Sequence, residues 1–86
     1  MEFEFDSEES KANKAKHGID FAEAQSLWLD ERRIEIPART SDEPRLVAIG
    51  RIEGRHWSVV FTMRGERVRL ISARRSRDEE IAIYEG

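Results

Sequence analysis

The residues best suited to chemistry in this sequence are arginines. Between Arg45 and Arg77 there are nine of them, no lysine, and only Glu53 and Glu66 in opposition. Guanidinium is planar, permanently charged and forked, so an arginine block without lysine suits bidentate recognition of phosphate or carboxylate. His17 and His56 are the only histidines and cysteine is absent. Neither histidine belongs to a spaced ligand set, so no metal is expected. The five glycines are isolated, which leaves no phosphate-cradling loop, and no cofactor is expected. Phosphodiester chemistry on RNA remains. Attack by a 2′-hydroxyl needs a base, an acid and positive charge around the phosphate. A positioned acid or base contributes about 10²–10⁴ in rate, and donors aimed at developing charge contribute a similar or larger factor. His17 titrates near neutrality and is the candidate proton carrier. Arg64, Arg69 and Arg74 are candidates for holding the phosphate, with Glu80 or Tyr84 assisting. Lys16, Arg51, Arg67 and Arg75 are candidates for RNA binding.

Each candidate has a plainer reading. Lys16-His17-Gly18 can simply end a helix, and Arg74 can lie over Trp57 as a cation–π contact worth about 0.5–2 kcal/mol. Glu80 and Tyr84 can do no more than complete a terminal helix. Trp28 and Trp57 are expected in the core rather than as base-stacking platforms. The basic block itself can be a solvated face paired with its acidic flanks. Those flanks are real: twelve acids stand against six bases from Met1 to Pro44, and four acids follow Arg77. The net charge of −3 conceals a basic middle.

The elements that must position these groups fit one small domain spanning 1–86. At 86 residues only about 60–65% of the chain's surface is buried on folding. No apolar run approaches a membrane span, and the amino terminus lacks the regions of a signal peptide. Without cysteine, a reducing cytoplasm is the expected location. Glu2–Phe5 alternates as a short edge strand. A helix is expected from Asp6 or Ser7 to His17, ended by Gly18. A second starts at Asp20, whose spacing to Glu23 is that of a capping box, with Phe21, Ala24, Leu27 and Trp28 facing the core. Pro37 and Pro44 bracket a polar loop, 38–43. Strands follow at 34–36, 45–52, 55–64 and 67–74, and Ser76 with Glu79 is expected to cap a short terminal helix. The fold class is therefore α+β: a twisted antiparallel sheet with two N-terminal helices on one face and a short C-terminal helix.

Gly65-Glu66 as a type II′ turn fixes a register. Met63 pairs with Val68, Phe61 with Leu70, Val59 with Ser72 and Trp57 with Arg74 on the covered face. Arg64 with Arg67, Thr62 with Arg69, Val60 with Ile71 and Ser58 with Ala73 lie on the other. Two arginines directly opposite one another are destabilising by a few tenths of a kcal/mol, which a bound anion would offset. A partly apolar, arginine-edged groove on the uncovered face is the expected site.

Two separated runs carry a family resemblance. Phe5-Asp6, Asn13, Lys16-His17-Gly18, Phe21 and Glu23-Ala24 resemble the opening of BrnT-type toxins. Thr62, Arg64-Gly65, Arg69-Leu70-Ile71-Ser72-Ala73-Arg74, Glu80 and Tyr84 resemble the family's ending. The resemblance implies a RelE-like ribonuclease that arrests bacterial growth. It also implies neutralisation by a BrnA-type antitoxin, with operator DNA contacted only through that partner's ribbon-helix-helix domain. Glu9 departs from the pattern, standing where the family usually carries lysine; on this reading Glu9→Lys increases growth inhibition. Two further readings stand beside the enzyme. One is a non-catalytic nucleic-acid- or partner-binding subunit of a repressor complex. In the other, the basic groove receives an acidic or amphipathic protein surface.

Overall fold

The computed structural model describes residues 1–39 and 43–86. The elements run β1 (Glu2–Glu4), α1 (Ser7–His17), α2 (Phe21–Ala24), a 3₁₀ segment (Gln25–Leu29), β2 (Ile34–Pro37), β3 (Leu46–Ile52), β4 (Arg55–Arg64), β5 (Arg67–Arg75) and α3 (Asp78–Glu85). Five strands form one sheet in the order β1-β5-β4-β3-β2. The sheet is mixed. β1 joins β5 in parallel, which the long intervening chain of helices and three further strands permits, while the other three pairs are antiparallel. Part of the polar loop, 38–43, lies outside the described residues.

Local signals explain the helices. Asp6 caps α1 by accepting from the backbone N–H of Glu8 and Glu9, and Gly18 ends it at φ 81°, a left-handed position that glycine takes without strain. Asp20 and Glu23 form the reciprocal capping box of α2. At α3 the cap is one residue later than the Ser76–Glu79 spacing suggested. Glu80 reaches back to the Arg77 N–H at 2.8 Å, while the Ser76 hydroxyl instead meets Ser58.

The core lies between one sheet face and the N-terminal helical layer. Ile19, Phe21, Ala24 and Leu27 pack on Ala48, Trp57, Val59, Phe61, Val68, Leu70 and Ala73. Phe3, Trp28 and Phe61 continue it through two edge-to-face contacts, each 5.2 Å between ring centres. Both tryptophans thus serve packing. The Asn13 side chain is buried beneath this layer. It donates to the carbonyls of Ile19 and Ala73 and accepts from the Ala73 N–H, fixing the Lys16-His17-Gly18 turn to β5.

The β4–β5 register holds from the turn as far as Phe61–Leu70 and then slips. Val60 faces Ser72, Val59 faces Ala73, Ser58 faces Arg74 and Trp57 faces Arg75, leaving Ile71 as the extra residue of a bulge. The bulge reverses the facing of everything after it. Ala73 turns into the core and Arg74 turns away, so the cation over Trp57 is Arg75, at 5.5 Å.

Candidate functional site

On the face away from the core, alternate residues of the central strands make an apolar floor. Val47 pairs with Val60, and Ile36 of β2 pairs with Val47. Pro37, Ala38, Arg39, Arg45, Arg74, Arg77 and Glu80 complete a groove of about 410 Å³. Arg45 shares the facing of Val47, two residues on along the same strand direction. Its Nε is buried without a hydrogen-bond partner among the described residues, and the Glu43 carboxylate is 3.6 Å away. The Thr62 hydroxyl donates to the Pro44 carbonyl at 2.7 Å, fixing the approach to Arg45. Arg39 and Arg77 are exposed, and neither forms an ion pair among the described residues. The groove gathers four guanidinium groups, of which Arg45 pairs with Glu43 and Arg74 with Glu80.

One end of the groove is closed by a clamp. Glu80 accepts from Arg74 Nη1 and Nη2 at 2.8 and 2.9 Å, from the Arg77 N–H at 2.8 Å and from the fully buried Ser58 hydroxyl at 3.0 Å. The Arg74 hydrogen bonds, ahead of the opposing effect of burial, hold the Glu80 carboxyl down at about 2. The same contact pushes Arg74 up. Glu80 is a fixed anion at neutral pH, with Oε1 accepting three hydrogen bonds and Oε2 one. Arg74 is pre-oriented, with its plane set by that carboxylate.

At the hairpin tip, Arg64 and Arg67 stand opposite one another on the face away from the core. The expected anion exists within the chain. Arg67 lies 3.4 Å from Glu2 and 3.5 Å from Glu4, and Arg69 lies 3.1 Å from Glu4. Arg64 is exposed and forms no ion pair among the described residues.

The remaining candidates lie elsewhere. His17 and Lys16 end α1, whose Asn13 is tied to Ala73 on the core side, and the His17 ring has no hydrogen bond among the described residues. Arg75 covers Trp57 and donates to the His56 carbonyl. Arg51 donates to the Gly54 carbonyl in the β3–β4 turn. The Tyr84 hydroxyl donates to Asp30 at 2.6 Å, which raises its pKa, and its ring meets His56 edge-to-face. His56 in turn contacts Glu85 at 2.7 Å. The structure thus brings Arg74 and Glu80 into one groove, places Arg64, Arg67 and Arg69 toward the hairpin tip, and leaves His17, Lys16 and Arg75 with the helical layer. A larger cleft of about 820 Å³ opens on that helical side, between Ile19, Leu29, Ile52 and Trp57. There Arg55 stands against Glu23 and Glu53, so the smaller groove is the better anion site.

Arg39, Arg45 and Arg77 are the groove residues that sequence reasoning did not name as candidates, and Ser58 is the buried partner of Glu80 that it missed. The signal for Arg45 was available, since it alternates with Val47 and therefore shares the face of Val60. Residues 5–80 match the profile of a family described as "Ribonuclease toxin, BrnT, of type II toxin-antitoxin system". No curated protein matches the chain.

Proposed function

Because the chain belongs to the BrnT family of type II toxin–antitoxin ribonuclease toxins, we propose that it is an endoribonuclease that binds RNA across the sheet face away from the core, beside α3. The carrying observation is the groove over Ile36, Val47 and Val60, with Arg39, Arg45 and Arg77 along its rim and Arg74 locked beside them. Arg45 and Arg77 hold the phosphates flanking the scissile bond. Arg74, its orientation set by Glu80, meets the charge that builds on the phosphoryl oxygens as the 2′-hydroxyl attacks. A guanidinium already in place needs no reorganisation at that moment, which is where electrostatic catalysis is strongest. His17 ends α1 on the helical side of the sheet, away from this groove, and takes no part in the step there. Glu80 positions rather than exchanges a proton, because its carboxyl stays ionised far below neutrality. The antitoxin is of BrnA type and contacts operator DNA on behalf of the pair, and the toxin acts in the cytoplasm.

Product analysis tests this. Purified chain should cut RNA to leave 2′,3′-cyclic phosphate and 5′-hydroxyl ends, and antitoxin should suppress the cutting. A pH–rate profile left unchanged by His17→Ala is the expected result, and loss of its neutral limb would bring His17 into the proton steps. One observation favours a second reading, a binding subunit without catalysis. Glu80 and Tyr84, the two acid–base candidates on α3, are both engaged in holding that helix. RNA bound but left intact by the chain, alone and with ribosomes, would establish it.

A further inference from the structure

The sheet face away from the core carries two arginine–carboxylate associations that differ in kind. Arg74–Glu80 is bidentate, at 2.8 and 2.9 Å, with side chains only 21% and 11% exposed. At the other end, single contacts of 3.1 to 3.5 Å join Arg67 and Arg69 to Glu2 and Glu4. Arg67 is 61% exposed and Glu2 is 78% exposed. Exposed pairs such as Arg67–Glu2 contribute little to stability, and a phosphodiester can displace them at small cost; Arg69–Glu4, 30% and 25% exposed, is the firmer contact.

The placement is specific. β1 spans three residues and pairs in parallel, so Phe3 enters the core beside Trp28 while Glu2 and Glu4 both fall on the arginine face. The Glu4 carboxylate bridges two guanidinium groups, with Oε1 toward Arg67 and Oε2 toward Arg69. That is the arrangement two arginines adopt around one phosphate. Arg64, opposite Arg67, supplies a third cation. Thr62 opposite Arg69 then leads toward the groove, through its bond to Pro44 beside Arg45.

We propose that Arg67 and Arg69 form a second phosphate-binding site, which the carboxylates of Glu2 and Glu4 occupy in the free protein and which RNA backbone takes over on binding. The site rests on the RNA-binding face proposed above and extends it toward the hairpin tip. Strand β1 then acts as an internal competitor that limits RNA affinity.

Fluorescence anisotropy with a short labelled single-stranded RNA, across a salt series, tests the site on the full chain. The E2Q/E4Q variant should bind roughly three- to tenfold more tightly at low salt, and its log affinity should fall more steeply with log salt, by about 1 to 1.5 in slope for two added phosphate contacts. An E8Q/E9Q variant, with the same charge change on α1, should gain much less. Placing R67A/R69A in the E2Q/E4Q background should abolish the gain. Thermal melting monitored by circular dichroism checks the fold; if the double variant melts early, Glu2→Gln alone serves, because that pair is largely exposed. A gain no larger than that of E8Q/E9Q, or one that survives R67A/R69A, overturns the site. RNA binding by none of the proteins overturns both the site and the RNA-binding face. A gain abolished by R67A/R69A in a chain that cuts no RNA leaves the site standing and removes the nuclease.

Discussion

Replacing Glu80 by glutamine should convert the clamp at the end of the groove from ionic to neutral, with a pH signature that only an ionic clamp produces. Glu80 is nearly buried, and its carboxyl sits at about 2 against an ordinary 4.5. A depressed carboxyl contributes stability that is present above its unfolded pKa and is lost as pH falls through the folded one. Each tenfold change in proton affinity corresponds to about 1.4 kcal/mol, so the clamp contributes on the order of 3 kcal/mol at neutrality. For a domain of this size that is a large share of a total of about 5–10 kcal/mol. Glutamine keeps the length of the side chain and can still accept from the Arg77 N–H, so the expected loss at pH 7 is about 2–3 kcal/mol. Urea denaturation followed by tryptophan fluorescence at steps from pH 7 to pH 2 reads the effect. Wild type and Glu80→Gln should differ most at neutral pH and converge between about pH 5 and pH 2. Two curves that stay parallel through that window would refute an ionised Glu80 as the clamp.

Asn13→Ala should cost about 2–4 kcal/mol, because it leaves the N–H and carbonyl of Ala73 buried without partners; chemical denaturation at constant m-value measures it. Glu9→Lys should lower stability by about 0.3–1 kcal/mol, since Glu9 is an acid in the first turn of α1, where the helix dipole favours negative charge. The same change should increase growth inhibition on induction if a cation at that position assists RNA binding, and an unchanged growth curve removes that role.

Much of the fold was legible because local signals agreed with one another. Asp6, Gly18 and the Asp20–Glu23 pair are short-range devices, and each appears where its spacing placed it. Gly65 adopts a positive φ of 63° and sets the hairpin register near the turn. The bulge at Ile71 was invisible for a physical reason. Leu70 and Ile71 are both apolar, so alternation carries no mark of an inserted residue. That one residue exchanges the facings of Ser72 and Ala73 and of Arg74 and Arg75, and with them the cation over Trp57. The parallel pairing of β1 was equally hidden, since three residues carry no sign of strand direction. The arginine face itself was readable from composition. Which arginines are already engaged was not, because Glu2, Glu4 and Glu80 are brought to it by tertiary structure: β1 lies some sixty-five residues from its partners on β5.

The most direct test of the RNA-binding face compares cleavage by the wild-type chain, by R45A/R77A and by R32A/R55A, at equal concentration and fixed salt. Both double variants lose two positive charges, and only the first removes them from the groove. Cleavage lost in R45A/R77A and retained in R32A/R55A is the expected result. Equal loss in both would reduce the groove to general electrostatic attraction, and full activity in R45A/R77A would contradict its assignment as the RNA site.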